Sequence, residues 1–446
     1  MKRYSYPDLD ETLYRETLPN GLEIAVAPRR GFAKKIAYFV TNYGSIHTEF
    51  TLDGQKCTVP AGVAHYLEHK MFELPGGRDV TGEFAALGAA VNAFTSYDMT
   101  AYYFACTQNF EAALELLLEF VSTPYFTQES VERERGIIQQ EIDMNLDSPD
   151  SVIFDRLMEI MYENHPVRVP ILGTGDSIRE ITPEILETCH RAFYHPGNML
   201  LCVVGDVEPE AVAAAARKIL PDSPRPNARP ICHWQEAPVP VSQLTQCAME
   251  VAMPTFSMAF KCIPAPPGEA AIRQEMVADL AAEALFGESS ALYLRLYEQG
   301  LIDSSFGGGF ETLEDCAMLC ASGDSDQPLA VRDAILAEAQ RLSRAGIPQA
   351  EFLRMKRSAL GRRIRALDSM DGVAFRICAY HFAGFDYFRF PEIYRAVTAQ
   401  EVCEFVTQAV RPETCAISII TPSHDASPAE GEIKAAHRAV QEACKE

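Results

Sequence analysis

Between Leu220 and Val241 the chain carries Pro221, Pro224, Pro226, Pro230, Pro238 and Pro240. Proline at that density removes backbone donors and fixes φ, so neither a helix nor a central strand can run through the segment. It divides the 446 residues into halves of about 200, each the size of one ordinary core. The expected organisation is a domain at 1–220, a linker at 221–240 and a second domain at 241–446.

Hydrophobic periodicity gives both halves the same order of elements. In the first, strands are expected at 21–27, behind an Asn20-Gly21 turn, and at 35–40. A helix at 61–72, a turn at 74–77 and a short helix at 81–87 lead to a hairpin of strands starting near 91 and 100. Helices at 111–121, 127–146, 155–162 and 183–193 precede a buried strand at 199–204. The second half reads as strands at 246–251 and 257–263, helices at 271–285 and 290–299, and strands at 304–310 and 318–321. Helices at 329–343 and 349–367 and a closing strand at 415–420 complete it. Residue identity between the halves is faint, so what repeats is architecture. The expected fold class is α+β, two structurally similar domains, each a mostly antiparallel sheet packed with helices. The tail after Thr421 reads as a polar spacer and an amphipathic helix.

A formal net charge of −23 argues against a nucleic-acid partner, which requires a basic surface. The N-terminus lacks an apolar signal core, and no run of eighteen apolar residues occurs, so no membrane partner is expected. The 13 cysteines are odd in number and without C-x-x-C pairs, and Cys202 and Cys262 fall in apolar strand-like runs. Reduced thiols in a cytoplasmic protein account for that better than a disulfide framework.

The chemistry concentrates at 61–72. On a helix, residues three and four apart share a face, so His65, Glu68 and His69 project together beside an apolar row of Val63, Leu67 and Met71. Pro60 sits where a first turn tolerates it. Two imidazoles at i and i+4 can hold one Zn²⁺, and a glutamate beside the second reaches water at the metal without ligating it. Five residues are a weak pattern alone, since a surface helix with two solvated histidines fits them equally. A catalytic zinc normally takes three protein ligands. The helix at 127–146, capped by Thr127, offers Glu134 and Glu141 on one face with Ile138 between them, whereas Glu132 and Asp143 read as solvated.

Together these segments resemble the zinc metallopeptidase family of pitrilysin, insulysin and the mitochondrial processing peptidase, in its short two-domain bacterial form. In that family the H-x-x-E-H motif is followed by a ligand glutamate at an interval slightly longer than the 72 residues between His69 and Glu141. The likeness includes Val91-Asn92-Ala93-Phe94-Thr95-Ser96, Thr100 to Phe104, His165-Pro166-Val167-Arg168, Gly173-Thr174, Tyr194-His195-Pro196 and Val203 to Val207. It covers most of the first 220 residues.

The resemblance implies one Zn²⁺ per chain on His65, His69 and Glu141, with Glu68 as the general base and Glu134 as the acidic residue supporting the site. Glu134 could hydrogen-bond a ligand histidine and fix its tautomer. Asn92, Ala93, Phe94 and Thr95 would offer an edge strand to which an extended peptide substrate adds. The implied activity is that of a zinc endopeptidase cleaving unfolded peptides or leader segments inside a chamber. His47, His165, His190, His195 and His233 have no partner at metal spacing and read as structural.

One departure bears on partners. The Arg and Tyr that single-chain members carry in the later half are replaced here by Tyr297 and Asp303, with Arg295 adjacent. Either Arg295 compensates by a local shift, or the pair comes from a second subunit, in a homodimer or in a heterodimer with an inactive paralogue. A non-catalytic scaffold subunit and a zinc hydrolase acting on a small molecule are the alternatives.

Overall fold

The computed structural model describes residues 1–220, 222, 226, 228–231, 234–313 and 315–423; His233, His424, His437 and the expected tail helix lie outside them. In the first half β1 (Lys2–Tyr6), β2 (Glu11–Thr17), β3 (Glu23–Pro28) and β4 (Lys35–Thr41) precede a small hairpin of β5 (Glu49–Leu52) and β6 (Gln55–Thr58). The motif helix α1 (Val63–Met71) follows, then β7 (Glu73–Leu74) and β8 (Arg78–Asp79), closed by Gly76 and Gly77 at φ 80° and 73°. Next come α2 (Val80–Ala86), the hairpin β9 (Ala89–Thr95) and β10 (Thr100–Cys106), and helices α3 (Phe110–Ser122), α4 (Gln128–Leu146), α5 (Pro149–Met161) and α6 (Pro183–Phe193). β11 (Met199–Gly205), α7 (Pro209–Ile219) and β12 (Ala228–Pro230) end this half.

The second half runs β13 (Leu244–Met249), β14 (Thr255–Cys262), α8 (Glu269–Phe286), α9 (Ala291–Glu298), β15 (Gly307–Leu313) and β16 (Cys316–Asp324). Helices α10 (Pro328–Ala345), α11 (Gln349–Arg365), α12 (Met370–Phe382), α13 (Phe390–Ala396) and α14 (Ala399–Ala409) then lead to β17 (Cys415–Pro422).

The larger sheet has the order β1-β2-β3-β11-β4-β10-β9, and the second has β13-β17-β14-β16-β15. Five strands of the first, β3-β11-β4-β10-β9, match the order and pairing directions of the five in the second. In both, one parallel pair (β3 with β11, β13 with β17) adjoins a run of antiparallel pairs. The duplicated α+β architecture expected from the sequence is therefore present, mostly antiparallel with one parallel joint per half. β1 and β2, an edge extension without counterpart among the described residues of the second half, carry too few buried residues to have registered as strands in the sequence.

The halves interlock. α5 packs on β14 and β17 of the second sheet, while α12, at the corresponding place in the repeat, packs on β11 and β4 of the first. Val373, Ala374, Ile377 and Cys378 of α12 are fully buried there, and burying Val373 and Ile377 contributes about 1.5–3 kcal/mol each. One core cluster accordingly contains residues of both sheets. The proline-rich segment is more than a connector: β12 adds to the edge of β5, a place where proline is tolerated. Beyond it, the Glu236 carboxylate accepts the backbone N–H groups of Glu163, Asn164 and His165 and pairs with the buried Lys261 at 3.1 Å.

Histidines outside the motif do local work. The Nδ1 atoms of His47, His165 and His195 accept the N–H groups of Gly44, Val167 and Gly197. His190 on α6 stacks on Tyr194 at 4.8 Å and donates from Nε2 to Val121 O at 3.2 Å. Burial lowers its pKa to about 4. Its folded pKa lies below the unfolded value near 6.5, so the unfolded chain binds the extra proton between those limits and stability falls as pH drops from about 6.5 to 4. The loss reaches about 3 kcal/mol. Denaturant melts of His190→Gln should show that increment missing from the acid limb; parallel wild-type and variant profiles would mean His190 is charged in the fold.

Candidate metal centre

α1 is held as an interior helix, with Val63 through Glu68, Lys70 and Met71 all buried, which excludes the solvated-surface alternative. It starts at Gly62 rather than in a turn begun by Pro60. Gly62 has φ +89°, and a Cβ there would lie 2.4 Å from Leu172 O. Only glycine lets the segment around Leu172 close over the helix start. At the side, the Tyr66 hydroxyl donates to Val131 O of α4, tying the two site helices together.

α4 is fixed at its start by a reciprocal pair, Thr127 Oγ1 accepting Ser130 N–H and Ser130 Oγ accepting Thr127 N–H. Ile138 and Ile142 anchor it in the core, which turns Glu134 and Glu141 toward α1 and leaves Glu132 and Asp143 exposed.

Two helices distant in sequence therefore converge. His65 Nε2 lies 3.6 Å from Glu141 Oε1, and His69 Nε2 lies 3.5 Å from Glu141 Oε2. One donor atom from each of the three residues falls within 4.8 Å of the others. Donors bonded at about 2.0–2.2 Å to one tetrahedral cation stand about 3.4 Å apart, so the separations fit a zinc ion and are too long for direct hydrogen bonds. Glu134 Oε1 accepts from His69 Nδ1 at 3.0 Å, which leaves the Nε2 lone pair facing Glu141. Glu68 is buried, and its Oε2 accepts from Thr95 Oγ1 at 3.0 Å.

The electrostatics suit a cation. Burial, aided by His69, lowers the His65 pKa to about 3, so the ring is neutral and able to ligate. Burial opposes a charge on His69 as well. The Glu134 hydrogen bond and the carboxylates of Glu68, Glu134 and Glu141 outweigh it and raise its pKa. Burial raises Glu68, with His69 and Thr95 pulling the other way.

Asn92, Ala93, Phe94 and Thr95 lie on β9, the free edge of the first sheet, and do not act alike. Asn92 Oδ1 accepts the N–H of Ala93, Phe94 packs against Phe375 of α12 with ring centres 5.9 Å apart, and Thr95 reaches Glu68. The contact with Phe375 brings the second half to the edge of the site, and no local pattern signals it. Arg295 pairs with Glu338 at 3.4 Å, and Tyr297 stacks on Tyr293. A cavity of about 770 Å³ lies between α8, α11 and Gly307–Gly309 and contains none of the motif residues.

Known proteins are similar to this chain over most of its length. A profile of the insulinase M16 peptidase family matches residues 58–175, and one of the M16 inactive domain matches 180–359. The chain is 37% identical to YmfH of Bacillus subtilis, described as an uncharacterized zinc protease, over 95% of this chain and 99% of that one. A crystal structure of an M16-like peptidase from Alicyclobacillus acidocaldarius is similar at 32% identity and a TM-score of 0.89, covering 93% and 99% of the two chains. A protease from Helicobacter pylori shares the fold at 20% identity and a TM-score of 0.78, over 92% and 99%.

Proposed function

From the premise that the chain belongs to the insulinase family of M16 peptidases, we propose that it is a zinc-dependent endopeptidase cleaving unfolded peptides or leader segments. The observation that carries this is the approach of the His65 and His69 Nε2 atoms to the Glu141 carboxylate at 3.6 and 3.5 Å, with a buried glutamate beside them. His65, His69 and Glu141 hold one zinc ion per chain. When bound, the metal polarises a carbonyl and lowers the pKa of water to near ~7. Glu68 takes up the proton of the attacking water on its carboxylate and returns it to the leaving amine.

The main chain of β9 pairs with an extended substrate. That selects for unfolded segments and leaves side-chain preference weak. Glu134 positions His69 through Nδ1. Glu134→Ala should lower zinc affinity or activity about 10- to 100-fold, measured by competition with a chelator, while an unchanged zinc affinity and rate would remove Glu134 from that role.

Two chains assemble around a shared chamber, and a partner supplies the Arg and Tyr that Tyr297 and Asp303 replace. An inactive paralogue is the sharper candidate for that partner. No described helix is long and apolar enough to cross a membrane. Cysteines such as Cys106, Cys189, Cys202 and Cys378 are free and buried, which supports a reducing, cytoplasmic setting.

The test is cleavage of a peptide library by the purified chain, alone and with the paralogue. Cleavage that stops on chelation and returns with zinc is expected. A zinc-loaded chain that cuts no peptide in either preparation contradicts the proposal.

A further inference from the structure

β9 forms one wall of the site, and the hydroxyl it extends toward α1 has a task beyond presenting a strand edge. Side chains alternate along the strand. Phe94 packs with Tyr103 and Phe375 on the α12 side, while Val91 and Ala93 pack into the core on the α1 side. Thr95 shares the face of Ala93, and its Oγ1 is the only hydrogen-bond donor on the Glu68 carboxylate among the described residues.

The main chain of the same residue faces elsewhere. The hairpin closes with Ser96 N–H on Met99 O at 2.8 Å, which makes Thr95 and Thr100 a non-hydrogen-bonded pair. The N–H and C=O of Thr95 then point away from β10, toward the free edge. Thr95 thus sits between the strand edge and the base, touching one with its backbone and the other with its side chain.

We propose that Thr95 is the positioning residue for Glu68. Its hydroxyl holds the carboxylate in the orientation that receives the proton, and its β-branched side chain is itself fixed by the strand. A glutamate on a helix has several rotamers, and burial alone chooses none of them. A substrate strand seated on β9 would meet a base already oriented. This inference rests on the peptidase reading for its catalytic consequence, but the orientation of Glu68 is independent of that reading.

The test pairs Thr95→Val, which keeps the branched shape and removes the donor, with Thr95→Ser, which keeps the donor. Crystal structures of the zinc-loaded variants should show the Glu68 carboxylate displaced in Val and retained in Ser. On a peptide substrate, with the partner chain present if turnover needs it, Thr95→Val should lower kcat about 10- to 100-fold with KM within about 2-fold, because the main chain is untouched. Thr95→Ser should recover most of the rate. In a Glu68→Gln background, Thr95→Val should cost less than about 2-fold more, the signature of a residue acting through Glu68. An unmoved Glu68 in Thr95→Val, an unchanged kcat, or a loss confined to KM overturns the inference. If the wild type cleaves nothing, the peptidase reading fails, and the crystal structures still decide whether Thr95 holds Glu68.

Discussion

Glu68→Gln leaves zinc content at the wild-type level and lowers peptide hydrolysis about 10²- to 10⁴-fold, the range assigned to a positioned general base. Glu68 is buried on α1 beside the donor cluster but supplies none of its three atoms, so neutralising it takes nothing from the metal. Glutamine has the same shape, and its amide oxygen can still accept the Thr95 hydroxyl, so the helix and the strand edge stay in place. What disappears is the carboxylate that carries a proton from water to the leaving amine. Zinc analysis by mass spectrometry with kcat on one peptide separates the two roles. A variant that keeps wild-type kcat removes Glu68 as base, and one that loses zinc places Glu68 among the ligands.

Glu141→Gln has the opposite signature, with metal lost and the fold kept. Its carboxylate is the only anionic member of the donor set and approaches both histidine Nε2 atoms. A neutral amide removes the charge that balances the cation. Perturbing a residue behind a ligand typically costs 10- to 100-fold in affinity, so loss of the anionic ligand should weaken zinc binding by more than about 100-fold. Glu141 is partly exposed and the helix is anchored by the buried Ile138 and Ile142, so unfolding free energy of the zinc-free chain should change by no more than about 0.5 kcal/mol. Glu132→Gln, exposed on the same helix, is the matched control and should bind zinc normally. Normal zinc affinity in Glu141→Gln would mean that the third ligand lies elsewhere.

Local signals made much of the site legible in the sequence. The i, i+4 spacing of His65 and His69 was enough to place both rings on one face, and Thr127 marked the start of α4. Two turns of that helix return Glu134 and Glu141 to nearly one direction, and the structure gives each a different contact, one on His69 Nδ1 and one near both Nε2 atoms. Strand alternation located β9 and β10. Long-range contacts escaped. Nothing near Phe375 announces that α12 crosses to the first sheet, and nothing near Pro230 announces pairing with Phe50 of β5. The expected helix at 155–162 begins earlier, at Pro149, because Ser148 caps it and proline suits the first turn. The Thr95 contact with Glu68 was hidden for a different reason. Alternation says which face a strand residue occupies, but which helix covers that face is set by packing of the whole half.

The most direct measurement is an anomalous difference map at the zinc edge from crystals of the zinc-loaded chain. The expected result is one peak per chain, about 2.0–2.2 Å from His65 Nε2, His69 Nε2 and a Glu141 carboxylate oxygen, with the fourth position open to solvent. A peak bonded to other side chains, or none at full zinc loading, would contradict it.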